Sequence, residues 1–362
     1  MPAPALHPCS LPHDAGARIL LAALLALGAP ENPARASEFV DPLDAPTSES
    51  RLASRQLLNA VALAGKRLVA VGQRGHVLFS DDGGRSWSQA PVPVSADLTA
   101  VHFPTPERGW AVGHDGVVLA TADGGRSWRK QLDGRQIGPL LSAYYGAGDR
   151  ERVPGLREQL EILAVPGADK SFLDVWFADE RTGFAAGAFN LVLRTDDGGE
   201  HWVPWLDRME NPRGLHVYAV RAAGGDVFAV GEQGLVRRLA PSGAFEAVAV
   251  PYRGSLFGVA ACGSAVVAFG MRGTVLRSAD RGRTWRLVPT GVEDAITGAA
   301  TTPDGRLVLV TQGGTALASP GETSAFGILR LRGAGPASSL VAAGAKSLVL
   351  VGPSGVRLED VP

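Results

Sequence analysis

An all-β ring of seven four-stranded antiparallel sheets, a seven-bladed β-propeller, is the fold that three observations predict. First, an apolar run, a short turn and a second apolar run recur seven times. The turns are Gly72-Gln73-Arg74-Gly75, Gly113-His114-Asp115-Gly116, Gly187-Ala188-Phe189-Asn190, Gly231-Glu232-Gln233-Gly234, Gly270-Met271-Arg272-Gly273, Thr311-Gln312-Gly313-Gly314 and Gly352-Pro353-Ser354-Gly355. Their steps are 41, 74, 44, 39, 41 and 41 residues, and a near-constant period filled with short apolar segments marks a repeat architecture. One insertion accounts for the long step. Second, 46 Gly and 25 Pro with 45% hydrophobic and 6% aromatic residues suit many short strands joined by tight turns better than long helices. Third, four later turns of the repeat share the pattern Ser/Thr-x-Asp-x-Gly-x-x-Trp.

The elements follow in order. Residues 1–36 read as an export signal: Arg18 precedes an apolar run over 19–27, and Ala34-Arg35-Ala36 supplies a small-x-small cleavage pattern. That run is too short to cross a bilayer. Cleavage after Ala36 places the mature chain, 37–362, in the periplasm. Cys9 leaves with the signal, and Cys262, alone in the apolar run 258–262, reads as a buried small hydrophobe. The net charge of −1 gives no bulk attraction to nucleic acid or to an anionic membrane surface.

Residues 37–56 have no repeat unit of their own, while the last unit stops after three strands. The segment 38–43 is therefore expected to supply the missing fourth strand and remove an exposed edge. Unit two shows the meander most plainly, with strands expected at 98–103, 110–113, 117–121 and 127–132, each bounded by Gly, Pro or Asp. Inner strands such as 184–187, 228–231 and 267–270 are continuous and slim rather than alternating, as strands buried on both faces must be. A meander puts the acidic turns and the first-to-second-strand loops on one rim. The Gly-x-x-Gly turns and the connectors between units fall on the other. The insertion, 134–170, is one such connector between blades 2 and 3, with an expected short amphipathic helix beginning near Pro154.

The four acidic turns are Ser80, Asp82, Gly84, Trp87; Thr121, Asp123, Gly125, Trp128; Thr195, Asp197, Gly199, Trp202; and Ser278, Asp280, Gly282, Trp285. Their role is structural. The carboxylate accepts N–H groups of its own turn, the Gly takes positive φ, and the Trp fills the gap between neighbouring blades. Units four and six carry decayed versions, with Phe245 and Phe326 in the Trp positions.

At these residues the chain resembles the Asp-box, or BNR-repeat, β-propellers, and within them the photosystem II stability/assembly factor-like family. The resemblance covers about residues 57–362. It implies an exported propeller without a catalytic constellation that assists a membrane protein complex. Relatives in non-photosynthetic bacteria are often encoded beside RND-type exporters, so an RND-type exporter is the implied partner. In the Asp-box enzymes substrate binds on the rim opposite the boxes, which draws attention to the same rim as the insertion.

The candidate partner-binding residues on that rim are Arg74, His114 and Arg272 from the turns, Tyr144, Tyr145, Arg150 and Arg157 from the insertion, and Tyr252 and Arg253 from a connector. Tyr and Arg are the types that most often anchor interfaces. No catalytic residue, metal set or cofactor motif emerges: the histidines His76, His102, His114, His201 and His216 lack ligand spacing, and no Gly-rich phosphate loop precedes a helix. A monomeric, non-catalytic scaffold is the expectation. The alternative left open is a sialidase-like glycoside hydrolase or a glycan-binding propeller, since the fold alone does not decide activity.

Overall fold

Short runs of β-branched and small apolar residues between Gly-rich turns leave little choice but a meander, and the computed structural model shows one repeated seven times. It describes residues 39–165, 170–319, 325–333 and 335–361, so the expected export signal lies outside the described residues. Blade 1 holds β1 (Leu58–Ala64), β2 (Arg67–Gly72), β3 (Val77–Ser80) and β4 (Ser88–Gln89). Blade 2 holds β5 (Leu98–His102), β6 (Gly109–Gly113), β7 (Val118–Thr121) and β8 (Arg129–Leu132). Three helices follow, α1 (Gly134–Tyr144), α2 (Ala147–Arg152) and α3 (Leu156–Ala164). Blade 3 is β9 (Phe172–Phe177), β10 (Gly183–Gly187), β11 (Val192–Thr195) and β12 (Val203–Pro204). Blade 4 is β13 (Val217–Ala223), β14 (Asp226–Gly231), β15 (Val236–Leu239) and β16 (Phe245–Ala247). Blade 5 is β17 (Leu256–Cys262), β18 (Ala265–Gly270), β19 (Val275–Ser278) and β20 (Arg286–Val288). Blade 6 is β21 (Ile296–Thr301), β22 (Leu307–Thr311), β23 (Ala316–Ala318) and β24 (Gly327–Leu329). Blade 7 is β25 (Ser339–Gly344), β26 (Ser347–Gly352) and β27 (Gly355–Asp360).

Every blade is antiparallel with strands in sequence order, so each connection is short. The first strands neighbour one another around the axis, β1 on β5, β5 on β9 and onward to β21 on β25, and β25 returns to β1. The second strands are the fully buried ones: every residue of β6, β10, β18 and β22 is buried. They sit between two strands of their own blade and two neighbouring blades, which explains their Ala, Val and Gly content. Cys262 is buried at 1% exposure and is a free thiol.

Closure differs from the expectation. Among the described residues blade 7 has three strands, and residues 39–57 contain no strand; Glu38 lies outside the described residues. The segment instead crosses the rim of blades 1 and 2. Ser95 N–H donates to Pro42 O at 2.8 Å and Thr47 N–H to Val92 O at 3.0 Å, while Leu43 is buried with Val92 and Val94. The seam between blades 7 and 1 is closed by packing, with Val349 and Val351 of β26 in one cluster with Leu58, Leu68 and Leu78. Ser54 completes it. Its carbonyl oxygen stands 2.0 Å from where a Cβ on Gly355 would lie, as Val94 O stands 2.2 Å from that point on Gly75 and Val292 O 2.0 Å from that on Gly273. The N-terminal segment thus enters blade 1 as a connector enters any other blade. A hydrogen-bonded strand is unnecessary because the apolar faces already pair.

One irregularity repeats. The pairing of first and second strands skips one residue near its start in blades 1 to 6, at Asn59, Thr99, Leu173, Tyr218, Phe257 and Thr297. Such bulges re-aim the extra side chain.

Candidate docking rim

The two rims are built for different work. On one, the four acidic turns close the same ring of hydrogen bonds. In the first, Ser80 Oγ donates to Asp82 Oδ1 at 2.8 Å and accepts Gly84 N–H at 2.9 Å. Asp82 Oδ1 also accepts Arg85 N–H and Ser86 N–H, each at 2.9 Å, and Trp87 Nε1 donates to Gly84 O at 3.1 Å. The turns at Asp123 and Asp280 repeat the whole pattern, and the turn at Asp197 repeats its Thr195 and Asp197 bonds while the Trp202 indole N–H is buried without a partner. Each Trp faces the preceding blade: Trp202 meets Phe177 within its blade in the cluster that holds Trp110 of blade 2, and Trp285 lies edge-on to Phe228 of blade 4. Phe245 packs edge-on against Phe184 of blade 3 at 5.6 Å, and Phe326 joins the blade 5 cluster, so both occupy the expected Trp places.

These carboxylates are satisfied within their turns and hold no charge in reserve. Hydrogen bonds from the Ser86 side chain and backbone keep Asp82 well below the usual carboxylate range. The His201 backbone N–H does the same for Asp197, at about 2. A depressed folded-state value adds stability above the unfolded value of about 3.9, and that stability is lost as pH falls through the folded value. The difference in melting temperature between wild type and Asp197→Asn is therefore expected to be full above about pH 4 and to shrink toward pH 2. A pH-independent gap would refute this role for the carboxylate.

The other rim carries the Gly-x-x-Gly turns and the insertion. The third residue of five turns takes left-handed backbone, Arg74, Asp115, Phe189, Gln233 and Arg272, with φ of 51° to 56°. That uncommon conformation fixes where each side chain leaves the rim. The insertion is fastened at both ends. Asp133 caps α1 by accepting Arg135 N–H, and Gln136 Oε1 accepts Asp133 N–H at 2.9 Å, a reciprocal cap. Burial alone would raise the Asp133 carboxyl, but hydrogen bonds from Arg135 and Lys130 hold it at about 2. Arg135 grips Asp44 through two bonds of 2.8 and 2.9 Å, tying α1 to the N-terminal segment. At the other end Gln159 of α3 donates to Asn211 O at 3.0 Å, accepts from Asn190 Nδ2 at 2.9 Å, and is buried with both. This amide network joins the insertion to the blade 3 turn and to the connector into blade 4.

The helix near Pro154 is present as α3, with Leu156, Leu160 and Leu163 buried. Helix α1 is an addition to the expected structure. Gly134, Gly138 and Pro139 argue against a helix locally, yet burial of Ile137, Leu141 and Tyr145 against blades 2 and 3 outweighs that preference. A cavity of 680 Å³ lies between α1, Ala164 and the segment at Pro42 and Leu43, with Arg135 and Lys170 among its walls.

The candidate residues separate into groups. Arg74, His114, Arg157, Arg253 and Arg272 are exposed on this rim. His114 Nδ1 lies 2.8 Å from Ser171 Oγ, and Arg157 pairs with Glu151 at 3.6 Å. Tyr144 is 40% exposed. Tyr252 is half-buried and donates to Met271 O at 3.1 Å, which brings Tyr252, Arg253 and Arg272 together on blades 4 and 5. Tyr145 is a correction: it is 2% exposed and its hydroxyl donates to Asp207 Oδ1 at 2.7 Å, so it holds the insertion down instead of meeting a partner. The Arg150 side chain lies outside what the structure describes. Residues the sequence did not single out are Phe189, His216, Tyr218 and Phe257, whose rings touch in series. For Tyr218 and Phe257 the sequence signal is the second position of the first strand, visible once the bulge is known. Among the described residues no group of three His, Cys, Asp or Glu is placed to hold a metal ion, and no helix is long and apolar enough to cross a membrane.

Residues 156–325 match the family model described as Photosynthesis system II assembly factor YCF48. No curated protein matches the chain in sequence. Among solved structures, YCF48 bound to D1 peptide superposes with a TM-score of 0.60 at 15% identity, over 85% of this chain and 94% of that one. YCF48 from Cyanidioschyzon merolae gives 0.58 at 16% identity, over 85% and 97%. The WD40 β-propeller domain of Doa1 gives 0.60 at 12% identity, over 88% and 96%. The WD40 domain superposes as well as the YCF48 structures, so these likenesses speak for the fold. The chain is a seven-bladed β-propeller and, from α3 through blades 3 to 5 and into blade 6, it is similar in sequence to the YCF48 assembly factors.

Proposed function

We propose that this chain is a YCF48-like, non-catalytic propeller, exported to the periplasm, that serves as an assembly or accessory scaffold for a membrane protein complex. An RND-type exporter is the partner class proposed. The insertion-bearing rim is the docking surface. The observation that carries this reading is the insertion itself. A connector of this length in a compact ring is more often functional than neutral, and here it is capped, ion-paired and hydrogen-bonded into a fixed shape. A similar propeller has been solved with a bound peptide, D1, which supports protein recognition by this type of ring.

Hydrolysis is the weaker reading. Tyr145 is buried at 2% exposure with its hydroxyl committed to Asp207, and burial and then that bond push its phenol up. The test is crosslinked capture from membranes of the source cell, with the whole chain as bait. Replacing 134–165 by a short Gly/Ser linker, or Arg74→Glu, is expected to reduce captured membrane protein by about tenfold while the melt stays cooperative. Equal capture, or turnover of fluorogenic aryl glycosides by the wild-type chain, would overturn the reading.

A further inference from the structure

The bulged residue of the first strand follows a rule that blades 3 and 5 break. In blades 1, 2 and 6 it is polar and binds the next blade. Asn59 Nδ2 donates to Leu98 O at 2.8 Å, Thr99 Oγ1 to Phe172 O at 2.8 Å, and Thr297 Oγ1 to Ala337 O at 3.0 Å. Each bond runs from a first strand to the first strand of the next blade or, for Thr297, to Ala337 just ahead of it, on the insertion-bearing rim. In blades 3, 4 and 5 the same position holds Leu173, Tyr218 and Phe257. Leu173 and Phe257 have no donor to offer, while Tyr218 keeps side-chain hydrogen bonds to Ser255, just ahead of β17, and to Glu232 and packs its ring edge-on against Phe257 at 5.3 Å. Two inter-blade bonds are thereby given up for an arc of Leu173, Tyr218 and Phe257 that stays partly exposed. Where local consistency is broken without a structural gain, function is the usual reason.

The arc continues outward. His216 stacks edge-on with Tyr218 at 6.3 Å and with Phe189 at 4.7 Å. Ile162 of α3 and Met271 of the blade 5 turn are 48% and 42% exposed. Between α3 and the blade 3 and 4 turns lies a cavity of 300 Å³, with Ile162 and Phe189 in its walls and the carboxylates of Glu158 and Glu232 at its edges. That volume is at the lower limit for a small-molecule site and suits one long side chain. The lining cation, Arg213, gives Nη1 to Gln233 Oε1 at 2.7 Å. Glu232 accepts the His216 N–H at 2.9 Å and lies 3.3 Å from His216 Nδ1, which leaves the exposed Glu158 beside the apolar slot to meet a side chain with a hydrocarbon stem and a cationic head.

We infer that this arc and slot form the specificity site of the rim for a protein segment carrying an Arg or Lys beside an apolar residue. The cation enters the slot between α3 and blade 4, and its apolar neighbour packs on Tyr218 and Phe257. The inference rests on the docking role proposed above and deepens it. The experiment measures fluorescence anisotropy of three labelled synthetic nonapeptides against the whole chain. They are identical except for a central Arg, Glu or norleucine between two leucines. The Arg peptide is expected to bind about tenfold tighter than the Glu peptide. Ile162→Lys and Glu158→Lys, both at exposed positions outside the buried amide network, are expected to remove most of that preference without shifting the melt. Equal affinity for the three peptides, indifference to both substitutions, or no binding of the Arg peptide at about 1 mM overturns the inference. So does binding of glycans at the arc in place of peptide. Membrane capture that is lost with the insertion but insensitive to Ile162→Lys would leave the docking rim standing and remove this site from it.

Discussion

Trp110→Ala is expected to cost about 3–5 kcal/mol of folding stability, the range for losing a large buried aromatic. Trp110 is 1% exposed on β6 and lies flat on Phe177 of blade 3, ring centres 3.5 Å apart at 8°. Its Nε1 reaches across the seam to Gly198 O at 3.2 Å, in the acidic turn of blade 3. Truncation would therefore open a cavity, remove one of the two donors to Gly198 O, the other being Gln131 Nε2, and loosen two blades at once. Trp110→Phe, which keeps the ring stack and loses the hydrogen bond, is expected to cost about 1–2 kcal/mol. Urea unfolding measures both, with an unchanged slope confirming that the native ring is the species being destabilised. A cost for Trp110→Ala below about 1 kcal/mol would show that the seam is not a stabilising contact.

Gly355→Ala tests how the ring closes. Gly355 has φ of +87°, and a Cβ there would stand 2.0 Å from Ser54 O. The substitution combines backbone strain of about 1–3 kcal/mol with an overlap that forces the N-terminal connector away from blade 7. A total near 3 kcal/mol or more is expected. Gly243→Ala provides the control, because Gly243 has φ of +82° with nothing within 4 Å of an added Cβ. It carries the backbone cost alone, about 1 kcal/mol. Hydrogen exchange adds a spatial readout: the loss of protection should concentrate in β1 and β26. Equal costs at the two glycines would mean that Ser54 does not seal the ring.

Much of the docking rim follows from the chain's local grammar. Alternating turns place Arg74, His114 and Arg272 on one rim because a meander reverses direction at every turn, and the long second interval locates the insertion there too. The surface they frame is another matter. Tyr144 and Tyr145 are neighbours in sequence, and only the docking of α1 decides that the first is exposed and the second bonded to Asp207. The arc of Leu173, Tyr218 and Phe257 was equally invisible, because three residues far apart in sequence become neighbours only around a closed axis.

By itself the sequence determined the blade count, the strand order, the rim on which each turn falls and the acidic turns with their Trp or Phe wedges. Each depends on hydrogen bonds and burial patterns spanning a few residues, repeated at a fixed interval. Tertiary structure alone decided the route of residues 40–57, the helix through Pro139 and the bulged residues of the first strands. There the winning contact joins segments tens of residues apart, and burial against a neighbouring blade outweighs local preference.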